Sequence, residues 1–129
     1  MNLVLDENNY NINNIFFYEP VKNTVMDDSK FIRIIYSDEH VILNGIYLKL
    51  DIDNSNNTVK MLDILEKNIL DKYKINKNNI NKNRCFKIQE QLLFLINKGN
   101  TNKNIILKIS GIWETNLMIG LTYKFLSAN

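Results

Sequence analysis

The stretch NIILKISGIWETNLMIGLTYKF, at residues 104–125, carries the clearest pattern in the chain. Two apolar runs flank a polar turn at Glu114-Thr115-Asn116, and in the second run apolar residues occupy every other position. Alternation with a period of two beside a short turn is typical of an antiparallel hairpin with one buried face. We therefore predict a hairpin that forms the floor of a small β domain, its buried face made by Leu117, Ile119, Leu121, Tyr123 and Phe125.

Three shorter segments upstream are predicted to add strands to this hairpin. Ile15–Tyr18 is followed by Glu19-Pro20, which favours an edge strand because proline has no N–H to donate to a ladder. Phe31–Tyr36 is rich in β-branched and aromatic residues, as strands are. Val41–Ile52 alternates apolar and polar residues, and Gly45 within it indicates a bulge or a sharp bend. In the second segment the core-facing residues are expected to be Ile32, Ile34 and Tyr36.

The period of the pattern changes after the polar residues 53–58. From Val59 to Tyr73, apolar side chains recur every three or four residues, which predicts one amphipathic helix. Residues 74–84 are rich in Lys and Asn and predict a loop. Residues 85–97 leave two alternatives open, because 86–91 suit a helical turn whereas 92–97 suit a strand. The apolar stripe of the predicted helix comprises Leu62, Leu65, Ile69 and Tyr73.

This order of elements predicts an α+β domain that is mainly antiparallel sheet. A chain of 129 residues is long enough for one domain with a modest core. A helix after the third strand is where an oligonucleotide-binding (OB) barrel carries one. We therefore expect a single domain over residues 1–129, built as a small OB-like barrel or a strongly bent sheet with one helix at about 59–73. Residues 1–14 are polar and are expected to be a loose N-terminal tail or a weakly specified strand.

Composition and charge exclude several classes of protein. A net charge of +2 is too small for a histone-like polybasic protein but is compatible with a local basic strip. The single cysteine, Cys85, cannot form an intrachain disulfide, which favours a reducing, intracellular compartment. The first residues lack the pattern of a signal peptide, and no apolar run approaches the ~18 residues of a membrane span.

The sequence contains no catalytic or metal-binding motif. His40 is the single histidine, and one His with one Cys cannot supply a structural zinc site. A calcium-loop pattern begins at Asp51 but has Asn56 where the loop needs Gly and Leu62 where it needs Glu. No glycine-rich phosphate loop of the usual spacings is present. We therefore predict a protein that is not an enzyme and that uses no cofactor.

A set of cationic and aromatic side chains on the predicted strands remains. Single-stranded nucleic acid is bound by aromatic rings that stack on bases, beside cations that follow the phosphates. Each stacked base contributes ~1–3 kcal/mol. Lysines at alternate strand positions also occur on ordinary solvated sheet faces, so the residues by themselves leave both interpretations open. The candidate contacts are Arg33, Tyr47, Lys49, Lys108, Trp113 and Lys124.

The hairpin resembles the C-terminal part of OB-fold single-stranded DNA-binding proteins of large nucleocytoplasmic DNA viruses. The matching residues are Ser110-Gly111-Ile112-Trp113 and Gly120-Leu121-Thr122-Tyr123-Lys124. The resemblance implies Trp113 and Lys124 as DNA contacts. It implies structural roles for Gly111 and Gly120. Proteins of that family typically end in an acidic tail, whereas no acidic residue follows Glu114 here.

The function implied by the resemblance is non-catalytic binding of single-stranded DNA, or of RNA, in viral replication or repair. Lys49 and Lys108 would then contact phosphates and Tyr47 would stack. Further expected partners are a second copy or another viral protein, in the host cytoplasm, a viral factory or the virion. The alternative is a virion structural, assembly or protein-interaction module on the same fold, with an apolar surface patch made by Tyr47, Ile106 and Ile112.

Overall fold

A computed structural model describes Leu5 and residues 10–51, 55–77, 81–97 and 104–127. Within them, an eight-stranded sheet shares one hydrophobic core with two helices. Apart from Leu5 and residues 10–14, the predicted N-terminal tail lies outside the described residues. The strands are β1 Ile15–Phe17, β2 Val21–Lys22, β3 Lys30–Ser37, β4 Ile42–Asn44, β5 Ile46–Asp51, β6 Asn83–Cys85, β7 Asn104–Glu114 and β8 Met118–Ser127; the helices are α1 Ser55–Asn76 and α2 Ile88–Asn97.

The long strand β7 organises the sheet. Along one edge it pairs with β5 and then with β3, and β8 pairs along its other edge. Among the named strand pairs, β6–β8 is parallel and the others are antiparallel. The prediction of an α+β, mainly antiparallel fold is therefore confirmed. The described strands form an open sheet that has β1 and β6 at its ends, and they do not close into a barrel.

The predicted hairpin is confirmed as β7 and β8. Its turn is closed by the Thr115 N–H, which donates to the Met118 carbonyl at 2.9 Å, and the Met118 N–H donates back to Thr115 Oγ1 at 3.1 Å. Ile119 and Leu121 are buried, and Tyr123 and Phe125 pack against the core. Leu117 is 74% exposed, so its predicted burial is wrong, because it belongs to the turn and not to the strand.

The predicted irregularity at Gly45 is a sharp bend. Gly45 has φ +99°, and a Cβ there would lie 2.9 Å from the carbonyl oxygen of Ile109, so only glycine fits without strain. The bend divides the predicted segment 41–52 into β4 and β5. As a result β4 pairs with the end of β3, while β5 turns away to pair with β7.

The helical content exceeds the prediction of one helix. Helix α1 begins at Ser55 and ends at Asn76, several residues beyond the predicted segment at each end, and its predicted apolar stripe is buried. Residues 88–97, left open between helix and strand, form α2, which buries Ile88 and Leu92 one turn apart. The region predicted as a loop contributes the short strand β6.

Glu66 on α1 fixes the start of α2. Its carboxylate accepts the backbone N–H groups of Lys87 at 2.9 Å and Ile88 at 3.3 Å, which have no partner within the first turn of a helix. Burial raises the pKa of the Glu66 carboxyl, and these two hydrogen bonds only partly oppose that rise. The α2 N-terminus thus depends on a long-range contact with α1.

Glu114 ends β7 inside a second buried polar cluster. It accepts hydrogen bonds from the Tyr73 hydroxyl at 2.8 Å and from Lys82 Nζ at 2.7 Å. Burial by itself raises the pKa of the Glu114 carboxyl, but these hydrogen bonds and the positive charges of Lys82 and Lys30 outweigh it and hold the pKa below its usual value. The cluster ties α1, the segment before β6 and the end of the hairpin together.

The two glutamates should shape the pH dependence of stability in opposite directions. Glu66 has a raised folded-state pKa, so its protonation favours the folded state as pH falls from 7 towards the ordinary glutamate value of 4.5. Glu114 has a lowered pKa, so its contribution is lost as pH falls below 4.5. We expect the free energy of unfolding to rise from pH 7 to about 5 and to fall below about 4.

The Glu66→Gln variant tests this expectation by urea unfolding at each pH. The rise between pH 7 and 5 should disappear in Glu66→Gln and persist in the matched control Glu39→Gln, since Glu39 is exposed. If the free energy of unfolding of Glu66→Gln changed with pH in parallel with that of the parent protein, ionisation of Glu66 would not be what destabilises the folded state.

Candidate nucleic-acid interface

One face of the sheet points away from the helices, and we call it the outer face. Its side chains alternate along β3, β5, β7 and β8 with buried residues of the core, as successive side chains on a strand do. All six residues predicted as contacts lie on it. The outer face comprises Phe31, Arg33, Tyr47, Lys49, Ile106, Lys108, Trp113, Thr122, Lys124 and Leu126.

A β-bulge in β7 places Lys108 and Trp113 on the same face. In a regular strand, residues separated by an odd number point to opposite sides of the sheet. Between Ile109 and Gly111 the register with β8 shifts, because Ile109 lies opposite Tyr123 and Gly111 lies opposite Thr122. The extra residue, Ser110, reverses the alternation of the remainder of β7. The predicted aromatic and cationic contacts therefore share one surface.

The cations form transverse rows across this face. Tyr47, Lys108 and Lys124 lie opposite one another on β5, β7 and β8, and Lys108 Nζ lies 5.5 Å from the centre of the Tyr47 ring. Lys49 lies in the next row towards the start of β7, opposite Ile106. Arg33 lies in the row towards Trp113, where its Nη1 donates to Asn44 Oδ1 at 2.9 Å.

Two aromatic rings lie across glycines at the other end of the outer face. A Cβ on Gly111 would lie 2.7 Å from Cζ of Phe31, and a Cβ on Gly120 would lie 2.7 Å from Nε1 of Trp113. Each ring therefore packs directly on the backbone of the neighbouring strand. This contact fixes one side of each ring against the sheet and gives the two glycines of the family resemblance a steric role.

The loop between β2 and β3 reaches over these rings, and we call it the strap (residues 23–29). It is closed at its base by the Asn23 N–H, which donates to the Ser29 carbonyl at 3.0 Å, and by Ser29 Oγ, which donates to the Met26 carbonyl at 2.7 Å. Asn23 Oδ1 accepts the Val25 N–H at 3.0 Å and shapes the tip. The strap thus holds Val25 and Met26 beside the aromatic end of the sheet.

The space between the strap and the sheet is a groove of about 600 Å³, which we call the aromatic groove. A volume of this size is typical of sites that bind small organic groups. Its lining is mainly apolar, as expected for a surface on which a flat ring can stack. It includes Val21, Val25, Met26, Phe31, Trp113 and Thr122.

The structure adds Phe31 and the strap to the predicted site, and it removes Ile112 from the apolar patch predicted for the alternative function. Phe31 and the strap were not among the predicted contacts, although Phe31 alternates with Ile32 and its exposure follows from that pattern. The strap could not be predicted from the sequence, because loops have no regular repeat of apolar residues. The predicted apolar patch is wrong in part, since Ile112 is fully buried as a result of the bulge, whereas Ile106 and Tyr47 are half-buried on the outer face.

Two other kinds of feature are absent from the described part of the chain. No group of His, Cys, Asp or Glu side chains there is arranged to hold a metal ion. Neither described helix combines the length and the apolar character needed to cross a membrane. Comparison with protein-family models, curated proteins and solved structures finds no match to this chain.

The contact between Trp113 and Gly120 makes a direct prediction about the groove. In Gly120→Ala the new methyl group meets the indole, which must move away from the sheet. We expect a loss of about 1–3 kcal/mol in the free energy of unfolding, as for other overpacked sites. We also expect a shift of Trp113 emission to longer wavelength as the ring becomes more exposed.

Gly111→Ala is the matched comparison for this test. Its methyl group would meet the backbone carbonyl of Ile32, which cannot rotate away as a side chain can. Gly111→Ala should therefore destabilise the protein more than Gly120→Ala. Unchanged stability and unchanged emission in Gly120→Ala would contradict the ring–glycine contact.

Proposed function

We propose that the outer face binds single-stranded DNA, or RNA, without catalysis. The observation that carries the proposal is the presence of the aromatic groove and the lysine rows on one continuous face. Bases can stack in the groove while phosphates follow the lysines. Lys49, Lys108 and Lys124 take part in no ion pair of the described residues, so their charge is available to an anionic ligand.

The spacing of the rows suits a strand that runs along β7. Successive rows are two residues apart, which is about 7 Å at 3.3–3.4 Å per residue. From Trp113 a bound strand would pass the row of Arg33, then that of Lys108 and Lys124, and then Lys49. The face would contact roughly four nucleotides, the lower end of the sizes known for OB-fold sites.

The family resemblance supports the same proposal. The residues implied as contacts, Trp113 and Lys124, share the outer face, and the residues implied as structural, Gly111 and Gly120, lie beneath aromatic rings. We propose that the open sheet is a bent relative of the OB barrel, in which α1 follows the first strands and the hairpin completes the binding face. The proposed setting is viral replication or repair.

Fluorescence anisotropy of a labelled thymidine oligomer, titrated with the protein at several salt concentrations, tests this function. We expect binding that weakens with salt and that quenches Trp113, the single tryptophan. Trp113→Ala should lose the stacking of one base, ~1–3 kcal/mol, which is about a 5- to 150-fold loss of affinity. Circular dichroism of the variant would show that the fold is retained.

The lysines should be separable by the salt dependence of binding. Lys108→Gln and Lys124→Gln should each reduce the slope of log affinity against log salt by ~0.7, the value for one phosphate contact on a single strand. Lys60→Gln is the matched control, because Lys60 is an exposed lysine on α1, away from the outer face. Absence of binding at low salt, or equal effects of Lys60→Gln and Lys108→Gln, would overturn the proposal.

A second candidate function is an assembly or protein-interaction module on the same fold. The observation that favours it is the exposure of Leu93 and Phe94 on α2. This second function predicts that the protein sediments as a stable oligomer and that it has no affinity for the thymidine oligonucleotide. Leu93→Lys should dissociate such an oligomer and leave a folded monomer.

A further inference from the structure

The outer face continues past β3 onto β1. Phe16 on β1 lies directly opposite Ile35 on β3 in antiparallel register, and side chains in such positions share one side of the sheet. Ile35 lies two positions along β3 from Arg33, which is on the outer face, so Ile35 points to the same side. On either side of Phe16, Ile15 and Phe17 pack into the core. Phe16 therefore lies on the outer face.

Tyr18 extends this register beyond the end of β1. Its N–H donates to the Arg33 carbonyl at 2.9 Å, which places Tyr18 opposite Arg33 in the ladder that pairs Phe16 with Ile35. The two rings are two residues apart, so they lie on one side of the sheet at a spacing of about 7 Å. Phe16 is 52% exposed and Tyr18 is 55% exposed. We call these two rings the edge platform, because β1 is at the end of the sheet.

Two cations lie beside the edge platform. Arg33 is the neighbour of Tyr18 across the ladder and belongs to the proposed site. Lys72 reaches β1 from α1, where its Nζ donates to the Ile15 carbonyl at 2.8 Å and lies 5.7 Å from the centre of the Phe16 ring. Neither cation takes part in an ion pair of the described residues. Arg33 is therefore available to a phosphate, and Lys72 adds positive charge beside Phe16.

The carboxylates near the edge platform indicate where a bound strand would end. Glu19 lies 3.7 Å from Lys77, which directly follows α1, so part of its charge is offset. Asp38 and Glu39 lie in the turn that follows β3, beyond Phe16 along the ladder. Because these two carboxylates would repel phosphates, we expect a bound strand to end at Phe16 and not to continue past it.

β2 connects the edge platform to the aromatic groove. Val21 on β2 lies opposite Phe31 and lines the groove. Residues 19 and 20 separate Val21 from Tyr18, and together they lie opposite a single residue of β3. Because such an extra residue reverses the alternation, Val21 and Tyr18 point to the same side. From β7 to β1 is two inter-strand spacings, roughly 10 Å, so a strand in the groove has only β3 to cross.

We propose that the edge platform is a second stacking site for the single strand whose bases stack in the aromatic groove. Tyr18 and Phe16 each receive one base, and Arg33 lies beneath the phosphates that cross β3 between the two sites. This inference rests on the proposed function and extends it, because the bound strand continues beyond Trp113, away from the lysine rows, by roughly two nucleotides. Affinity should therefore keep rising for oligomers longer than those that fill the rows of β7.

Titrations with thymidine oligomers of four and of twelve nucleotides test this inference. The dodecamer can reach both sites, whereas we expect the tetramer to occupy the groove and the lysine rows. Phe16→Ala and Tyr18→Ala should each weaken dodecamer binding about 5- to 150-fold, the range for one stacked base, and leave tetramer binding unchanged. Tyr18→Phe keeps the ring and should keep the parent affinity. Both rings are more than half exposed, so the variants should fold, which circular dichroism checks.

Phe94→Ala is the matched control for the loss of an exposed ring. Phe94 is 53% exposed and lies on α2, on the helix side of the sheet, so its removal should leave the affinity for both oligomers unchanged. A dodecamer affinity that falls as much in Phe94→Ala as in Phe16→Ala would overturn the edge platform.

A fluorescent ring on β1 reports stacking directly. Trp113 is the single tryptophan, so a double variant that combines Phe16→Trp with Trp113→Phe moves the emitting ring to the edge platform and leaves an aromatic ring in the groove. We expect the dodecamer to quench this emission at saturation and the tetramer to leave it unchanged. Absence of quenching by a bound dodecamer would overturn the inference.

Failure of the inference and failure of the proposed function give different results. If the dodecamer binds the parent protein and quenches Trp113, but binds Phe16→Ala and Tyr18→Ala equally well, the edge platform is overturned and the proposed function remains. If the parent protein binds neither oligomer at low salt, the proposed function is overturned, and the edge platform with it.

Discussion

The β-bulge at Ser110 is the constraint on which both faces of the sheet depend. Before it, Ile105, Leu107 and Ile109 point into the core, and after it the core is continued by Ile112 and Glu114. Without the extra residue, one of these two groups would be turned towards solvent, because a strand changes sides at every residue. At the bulge, this edge of β7 also changes its pairing partner from β5 to β3. Because of this one bulge, β7 contributes side chains to the core along its whole length and keeps the candidate binding residues on the outer face.

Two glycines, Gly111 beside this bulge and Gly120 on β8, determine how rigid the aromatic groove is. Phe31 and Trp113 lie directly on strand backbone, at Gly111 and Gly120, where any Cβ would collide with the ring. A ring held in this way has few alternative rotamers, so little conformational entropy is lost when a base stacks on its free side. The same contact leaves each ring one side for a ligand. A base can therefore stack on one side of each ring, but neither ring can insert between two bases.

The parts of the structure that were predictable from sequence are those whose signal is local. Alternation identified β3 and the hairpin, and a three- and four-residue period identified α1, because each pattern reports which side of an element meets the core. The start of α2 was not predictable in this way, since the N–H groups of Lys87 and Ile88 are satisfied by Glu66, about twenty residues earlier. β6 is three residues long and is defined by pairing with β8. The candidate cations were found by residue type and alternation, whereas the aromatic groove depends on contacts between the strap and strands that are distant in sequence.

The energies of the separate contacts bear on what kind of ligand suits the outer face. One stacked base contributes ~1–3 kcal/mol, which is less than the roughly 4 kcal/mol that corresponds to a millimolar dissociation constant. Surface cations add little in isolation, because solvent and salt screen them. Useful affinity therefore requires a ligand that reaches Trp113 and the rows of Lys108 and Lys49 at once. A flexible single strand meets this condition, whereas a mononucleotide is too short and a duplex keeps its bases stacked on one another. The lining of the aromatic groove is mainly apolar, so we expect the single-stranded form of the ligand, and not its base sequence, to govern selection.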